Sequence, residues 1–198
     1  DTETNVLDKG ALDKIIILLR THTGNDFSSY KINTIYRRVE RRMAVHKIDK
    51  ISSYVHFLSE NPKEIELLFK ELMIGVTNFF RDINVWEKLK ESVIPDMLTR
   101  TQSGSSVRAW VPGCSTGEEA YSLAIVFKEA LEKNSSPADV SLKIFATDLD
   151  NDAVEVARKG VFPANIANDV SDSRLNRFFT EMDEGYCINT EIRGMVVF

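Results

Sequence analysis

Cysteine and histidine are scarce in this 198-residue chain, with two of the first and three of the second. Cys114 and Cys187 lie far apart in sequence and make no metal-ligand pattern. His22, His46 and His56 also lack ligand spacing, so no metal is expected and all three histidines read as structural or exposed. No Ser-His-Asp or Cys-His arrangement for nucleophilic catalysis can be picked out. The one uninterrupted aliphatic run, Ile15 to Leu19, is far too short to span a bilayer. No basic-then-apolar leader with a small-residue cleavage site opens the chain, and a cytoplasmic protein is expected. Internal repeats and low-complexity segments are missing as well. A formal net charge of −5 argues against a general nucleic-acid binder. What remains is a chain with enough apolar content for one or two globular domains with real cores.

Its most informative stretch runs from Arg108 through Trp110-Val-Pro-Gly-Cys-Ser-Thr-Gly-Glu-Glu-Ala-Tyr121. The pattern is a buried strand, a glycine turn and a helix start, the way α/β proteins build a cofactor site. Gly113 and Gly117 are not spaced as a dinucleotide fingerprint, and Glu118 and Glu119 follow immediately. A diphosphate needs the bare, partly positive helix N-terminus, and two carboxylates there repel it. A cationic, phosphate-free cofactor is favoured instead, and S-adenosyl-L-methionine, with its sulfonium and ammonium, meets that description. A nucleotide-sugar or dinucleotide enzyme is correspondingly disfavoured. The competing structural role for the glutamates is a pair of capping boxes, Ser115 with Glu118 and Thr116 with Glu119. A second strand-like run, Leu142 to Thr147, ends at Asp148-Leu-Asp150. An acidic residue at that tip suits a ribose, although it comes later than the roughly 20 residues usual for a dinucleotide motif. Asp150 reads as the N-cap of a helix from Asn151, and Asp148 as the ribose ligand.

Two textures divide the chain, with the boundary expected at 100/101. Residues 1–100 read as helices: one with Leu7, Ile15, Leu18 and Leu19 on a face, and one over Asn33–His46. A third lies around Tyr54–Leu58, capped by Ser52 or Ser53, and a fourth begins at Pro62 with Ile65, Leu68, Phe69, Leu72 and Met73 inward. The loop Val76–Asp82 follows, then a helix through Val85, Trp86 and Leu89, with Pro95 starting or bending a further piece. From Val107 the pattern becomes strand, helix, strand, helix, with strands Val107–Val111, Leu142–Thr147 and Met195–Phe198. The helices between are Glu118–Glu132, leaving through Asn134-Ser-Ser-Pro137, then Asn151–Lys159 stopped by Gly160, and Asp172–Phe179. The Asn33–His46 helix concentrates Arg37, Arg38, Arg41 and Arg42 against Glu40 alone. Ile35, Val39 and Met43 form its inward stripe, so the arginines are expected to face out, either solvated or docking an acidic protein surface. Nucleic acid is a weaker partner, since aromatic interleaving is sparse.

These segments resemble the chemoreceptor glutamate methyltransferases of bacterial chemotaxis, the CheR family. The matching stretches are Tyr36–Met43, Gly75–Asp82, Trp110–Ser122 and Phe145–Asp150, in the family's order. Their wording is most similar to the methyltransferase part of CheB/CheR hybrid proteins, which join it to a methylesterase. The resemblance implies an α/β fold, a helical N-terminal domain followed by a Rossmann-like methyltransferase domain. It implies methyl transfer from S-adenosyl-L-methionine to glutamates of the chemoreceptor cytoplasmic domain, giving glutamyl methyl esters. By motif, Thr77 and Arg81 belong to the cofactor and active-site loop, with Arg81 holding a carboxylate of cofactor or substrate. Glu118 or Glu119 belongs to the methionine end and Asp148 to the ribose. Two departures stand out. Gly75 replaces a cofactor-contacting Asn of some members, and Ala120 replaces a frequent Pro.

Phe79 and Phe80 are expected to pack the loop on the core, and Cys114 to be a small packing residue. Three strands are visible, so the catalytic sheet reads as incomplete, with the family's later motifs expected beyond Phe198. Its first strand is then expected to stand at an edge with Trp110 and Val111, inviting self-association. A non-catalytic S-adenosylmethionine-binding or signalling module is the alternative function.

Overall fold

The computed structural model describes residues 2–73, 75, 77–133 and 140–198, with side chains from residue 10 onward. Leu7, Val76 and the Asn134–Pro137 exit therefore lie outside the described side chains or residues. The chain divides into two compact units, 1–74 and 75–198.

The first unit is helical: α1 (Thr2–Thr23), α2 (Ile32–His46), α3 (Ile51–Glu60) and α4 (Pro62–Leu72). Each contributes an apolar stripe at helical spacing to one core, with Ile15, Leu19, Ile35, Val39, Tyr54, Leu58 and Leu68 at its centre. Leu18, Phe69 and Met73 are only partly buried against it. Pro62 occupies the first turn of α4, where its missing N–H costs nothing. The expected serine cap of α3 does not form. The helix starts at Ile51, with Lys50 in the capping position, and Ser52 and Ser53 fall inside its first turn.

The second unit begins at Gly75, 26 residues before the expected start at 101. Helices α5 (Ile83–Lys88) and α6 (Ile94–Thr99) look like the preceding helical texture, which is why the sequence groups them with it. Their buried side chains, Trp86, Ile94 and Leu98, nevertheless pack into the core of the α/β unit. Between them Leu89–Val93 forms a π-turn, with the Ile94 N–H reaching back to the Leu89 carbonyl. Pro95, which lacks an N–H, follows directly, as expected of a helix bend.

Strand β1 (Ser106–Pro112) pairs in parallel with β2 (Ser141–Thr147). The connection runs through α7 (Glu118–Lys133), which buries side chains on most of its circumference. Helix α8 (Asn151–Lys159) stops at Gly160 in a left-handed cap, the conformation glycine adopts without strain. The third parallel strand, labelled β6 (Val196–Val197), gives the order β1-β2-β6. One face of this sheet carries Val111, Leu142, Ile144, Ala146 and Val196 into the core. On the other face Trp110, Phe145 and Val197 stand in register across the three strands and are exposed.

A second sheet was not foretold by the sequence pattern. Strands β3 (Val161–Pro163), β4 (Phe179–Met182) and β5 (Gly185–Ile188) are antiparallel in the order β3-β5-β4. Helix α9 (Asp172–Phe178) leads into β4, and the short α10 (Thr190–Gly194) leads into β6. Phe162 and Phe179 of this sheet pack edge-on against Phe79, whose ring centroid lies 4.8 and 5.4 Å from theirs.

Candidate functional site

The site is built from two loops of the second unit. The first follows Gly75. Phe79 and Phe80 are both buried in the core, so the segment between them and Asp82 cannot swing as a free loop. Phe80 and Asp82 adopt left-handed backbone (φ 51° and 58°), a conformation that side chains other than glycine seldom take. Three contacts hold it there. The Phe80 N–H donates to Ser122 Oγ at 3.0 Å, and Trp86 Nε1 donates to the Arg81 carbonyl at 2.7 Å. The Arg174 guanidinium lies 3.9 Å above the Phe80 ring, itself fixed by a two-pronged bond to Glu129 at 2.8 Å per arm.

The second loop joins β1 to α7. Gly113 (φ 68°) turns the chain off the strand, and the Cys114 N–H is secured by the Thr147 carbonyl at 3.0 Å. Ser115 is left-handed too (φ 47°), and its N–H donates to Asp148 Oδ2 at 2.7 Å. The other Asp148 oxygen accepts from the Asp150 N–H at 2.9 Å. Gly117 (φ 96°) is packed so closely that an added Cβ would sit 3.0 Å from that of Ala157. Asp150 caps α8 as expected, accepting from the N–H groups of Asp152 and Ala153.

The two capping boxes do not form. Helix α7 begins at Glu118, so Gly117 takes the position ahead of it, and Ser115 and Thr116 are too early. Glu118 instead accepts from the hydroxyl two residues before it, Thr116 Oγ1, at 2.7 and 2.8 Å. Cys114 is buried, and its thiol is pushed up to about 11 by that burial and by the Asp148 carboxylate. It therefore stays protonated at neutral pH and acts as a packing residue.

Between the loops lies a cavity of about 280 Å³ lined by Gly75, Thr77, Asn78, Arg81, Asp82, Trp86, Gly113, Ser115 and Glu119. Thr77, Arg81, Gly113 and Glu119 from the sequence reading meet here. Gly117, Glu118 and Asp148 do not line it: the first two shape the turn, and Asp148 braces it from behind. Asn78, Asp82, Trp86 and Ser115 went unsingled by sequence, although all but Trp86 sit within the quoted motifs. Trp86 had only its helical spacing as a signal. A side chain at position 75 would put its Cβ 2.7 Å from Ser115 Oγ, so the Ser115 hydroxyl occupies the space in front of Gly75.

Comparison with known proteins is decisive on the family. Residues 75–198 match the CheR methyltransferase SAM binding domain, and residues 10–73 match the CheR methyltransferase all-alpha domain. The chain belongs to the CheR methyltransferase family. Among relatives, an uncharacterized 104.1 kDa protein of Rhodobacter capsulatus is 40% identical over 188 residues, 95% of this chain and 20% of that protein. A chemotaxis protein methyltransferase of Borreliella burgdorferi is 25% identical over 97% of this chain and 69% of its own length. Chemotaxis protein methyltransferase 2 of Vibrio cholerae is 29% identical over 89% of this chain and 61% of its own length. The chain thus spans only part of each relative. S-adenosylmethionine is the cofactor that the CheR domain at 75–198 implies.

In the other CheR unit, the four arginines of α2 do not share one fate. Arg37 and Arg41 are exposed, Arg38 is half-exposed, and Arg41 lies 3.7 Å from Glu71. Arg42 is turned inward, contrary to expectation. It grips the buried Glu64 of α4 at 2.9 and 2.7 Å, and the same carboxylate accepts from Tyr54 at 2.8 Å and bonds His46 at 2.8 Å. This cluster makes Arg42 and His46 structural. Among the described residues no helix is long and apolar enough to cross a membrane.

Proposed function

We propose that this chain catalyses methyl transfer from S-adenosyl-L-methionine to glutamate side chains of a chemoreceptor cytoplasmic domain. The observation that carries the reading is the cavity, whose charges suit the amino-acid end of that cofactor. Glu119 and Asp82 offer carboxylates to an ammonium and a sulfonium, and Arg81 offers a guanidinium to a carboxylate. Its size, just below the ~300–1,000 Å³ of whole small-molecule sites, suits that end of the molecule alone. Gly113, with open space in front of it, lets ligand atoms approach the backbone, and Thr77 adds a hydroxyl. Asp148, at the strand tip, is the residue we assign to the ribose, beside its bracing bonds, and Gly117 and Glu118 fix the turn that presents Glu119.

When bound, the cofactor supplies an electrophilic methyl group on a sulfonium. A substrate glutamate, with a pKa of about 4.3, arrives ionised, so no general base is needed from the chain. Arg81 orients a carboxylate, either the cofactor's or the substrate's. The pinned Phe79-Phe80 segment keeps that guanidinium in place, and alignment of this kind is worth about 7–11 kcal/mol in favourable cases.

The exposed Arg37 and Arg41 and the half-exposed Arg38 are the surface we assign to the acidic receptor, with a cytoplasmic location following from that substrate. Strand β1, at the sheet edge with Trp110 exposed, supports self-association through unpaired backbone groups. The test is transfer of labelled methyl from S-adenosylmethionine to a receptor fragment, read as base-labile label, beside calorimetry with S-adenosylhomocysteine. Binding without transfer would make the chain a cofactor-binding module, and no binding would remove the reading.

A further inference from the structure

Among the described residues two polar side chains are enclosed by the protein, Glu64 and Ser122. Glu64 is matched by the cluster around it. Ser122 needs another account, because a serine in a helix interior gives up stability that alanine would keep. Its hydroxyl proton goes to the Glu118 carbonyl one turn back in α7, at 2.7 Å. That leaves the oxygen lone pairs directed outward from the helix, and one accepts the Phe80 N–H at 3.0 Å.

The two ends of this relay matter. Phe80 precedes Arg81, on one wall of the cavity, and Glu118 precedes Glu119, on the other. A left-handed phenylalanine is strained and persists only where its surroundings over-determine it. A buried N–H left without a partner adds a further penalty. The Ser122 bond answers the second and helps to enforce the first.

We propose that Ser122 is a positioning residue, which ties the Arg81 wall to the Glu119 wall and so sets the width of the cofactor cavity. The inference rests on the reading of that cavity as the cofactor site. It needs no contact between Ser122 and ligand.

The variant is Ser122→Ala, which favours helix α7 locally and so separates the hydroxyl's role from the helix's. In the wild-type chain the Phe80 amide should be strongly protected from hydrogen exchange. In Ser122→Ala it should exchange about tenfold faster or more, while amides within α7 at Ile125 and Val126 keep their rates. S-adenosylhomocysteine affinity by calorimetry should fall about tenfold. Unchanged Phe80 exchange, or α7 amides loosening in step with it, would overturn the proposal. So would an unchanged affinity in a variant with a freed Phe80 amide. If the variant does not fold, the wild-type pattern decides, and a Phe80 amide as fast as exposed loop amides rejects the relay. Failure of the wild-type chain to bind S-adenosylhomocysteine would strike the cofactor reading alone, because the exchange contrast is measured without ligand.

Discussion

Asp148 has one observed task and one proposed task. Its carboxylate faces the Ser115 and Asp150 amides, so whatever it offers a ligand, it also holds the turn beneath that ligand. Asp148→Ala is expected to weaken S-adenosylhomocysteine binding by about 1.5–3 kcal/mol, the worth of bonds to a charged group. Calorimetry checks this, and unchanged affinity in a folded variant would withdraw the ribose assignment and leave Asp148 as a brace alone. Glu64 presents the opposite case, a carboxylate with no ligand to serve. Burial raises its pKa, but hydrogen bonds from Arg42, Tyr54 and His46 outweigh that and hold it below the ordinary 4.5. A depressed carboxylate contributes stability above its unfolded value and loses it as pH falls through the folded one. Glu64→Gln should therefore destabilise the helical unit by about 3 kcal/mol at pH 7. The gap to wild type should close as pH drops below 4.5, as followed by urea melts at several pH values. Sequence could show that Arg42 is basic and on a helix. It could not show that a buried acid 22 residues away on another helix turns it inward.

Among the elements, those with a strong period or a glycine stop were legible. Strands β1 and β2, helix α7 and the Gly160 stop of α8 fall where apolar pattern and turn residues put them. The β3-β5-β4 sheet did not, because strands of three or four residues carry too little alternation to be distinguished from loop. The capping boxes failed for a related reason. Motif spacing was right, but Gly117 delayed the helix start by one or two residues. The hidden sheet hinges on Gly185 (φ 148°), where an added Cβ would fall 2.1 Å from the Phe162 carbonyl oxygen. Gly185→Ala should thus cost about 2 kcal/mol or more, seen as a lowered melting temperature of the α/β unit. Since Phe162 packs on Phe79, the substitution should also reach the loop that carries Thr77 and Arg81.

Taken whole, the molecule is two units with separate cores, and each is asked for a different thing. Arg37→Glu with Arg38→Glu should lower methylation of a receptor fragment several-fold at low salt, with S-adenosylhomocysteine affinity unchanged. The deficit should shrink as salt rises, because the screening length at physiological ionic strength is only about 8 Å. Steady-state assays across a salt series, paired with calorimetry, check both halves. Lost cofactor affinity would give this helix a different duty. The unit boundary itself was misread from sequence because α5 and α6 share the helical texture before them, and texture says nothing of which core a helix joins.

The brace from Asp148 to Ser115 spans 33 residues and crosses from the end of one strand to the turn after its partner. That span has a consequence in time. The left-handed turn cannot be secured until β1 and β2 lie side by side, a non-local event with a loop-closure cost. A chain caught before that pairing has no place to receive a ligand. A ligand that needs this turn is then expected to slow the sheet's coming apart more than it hastens its assembly.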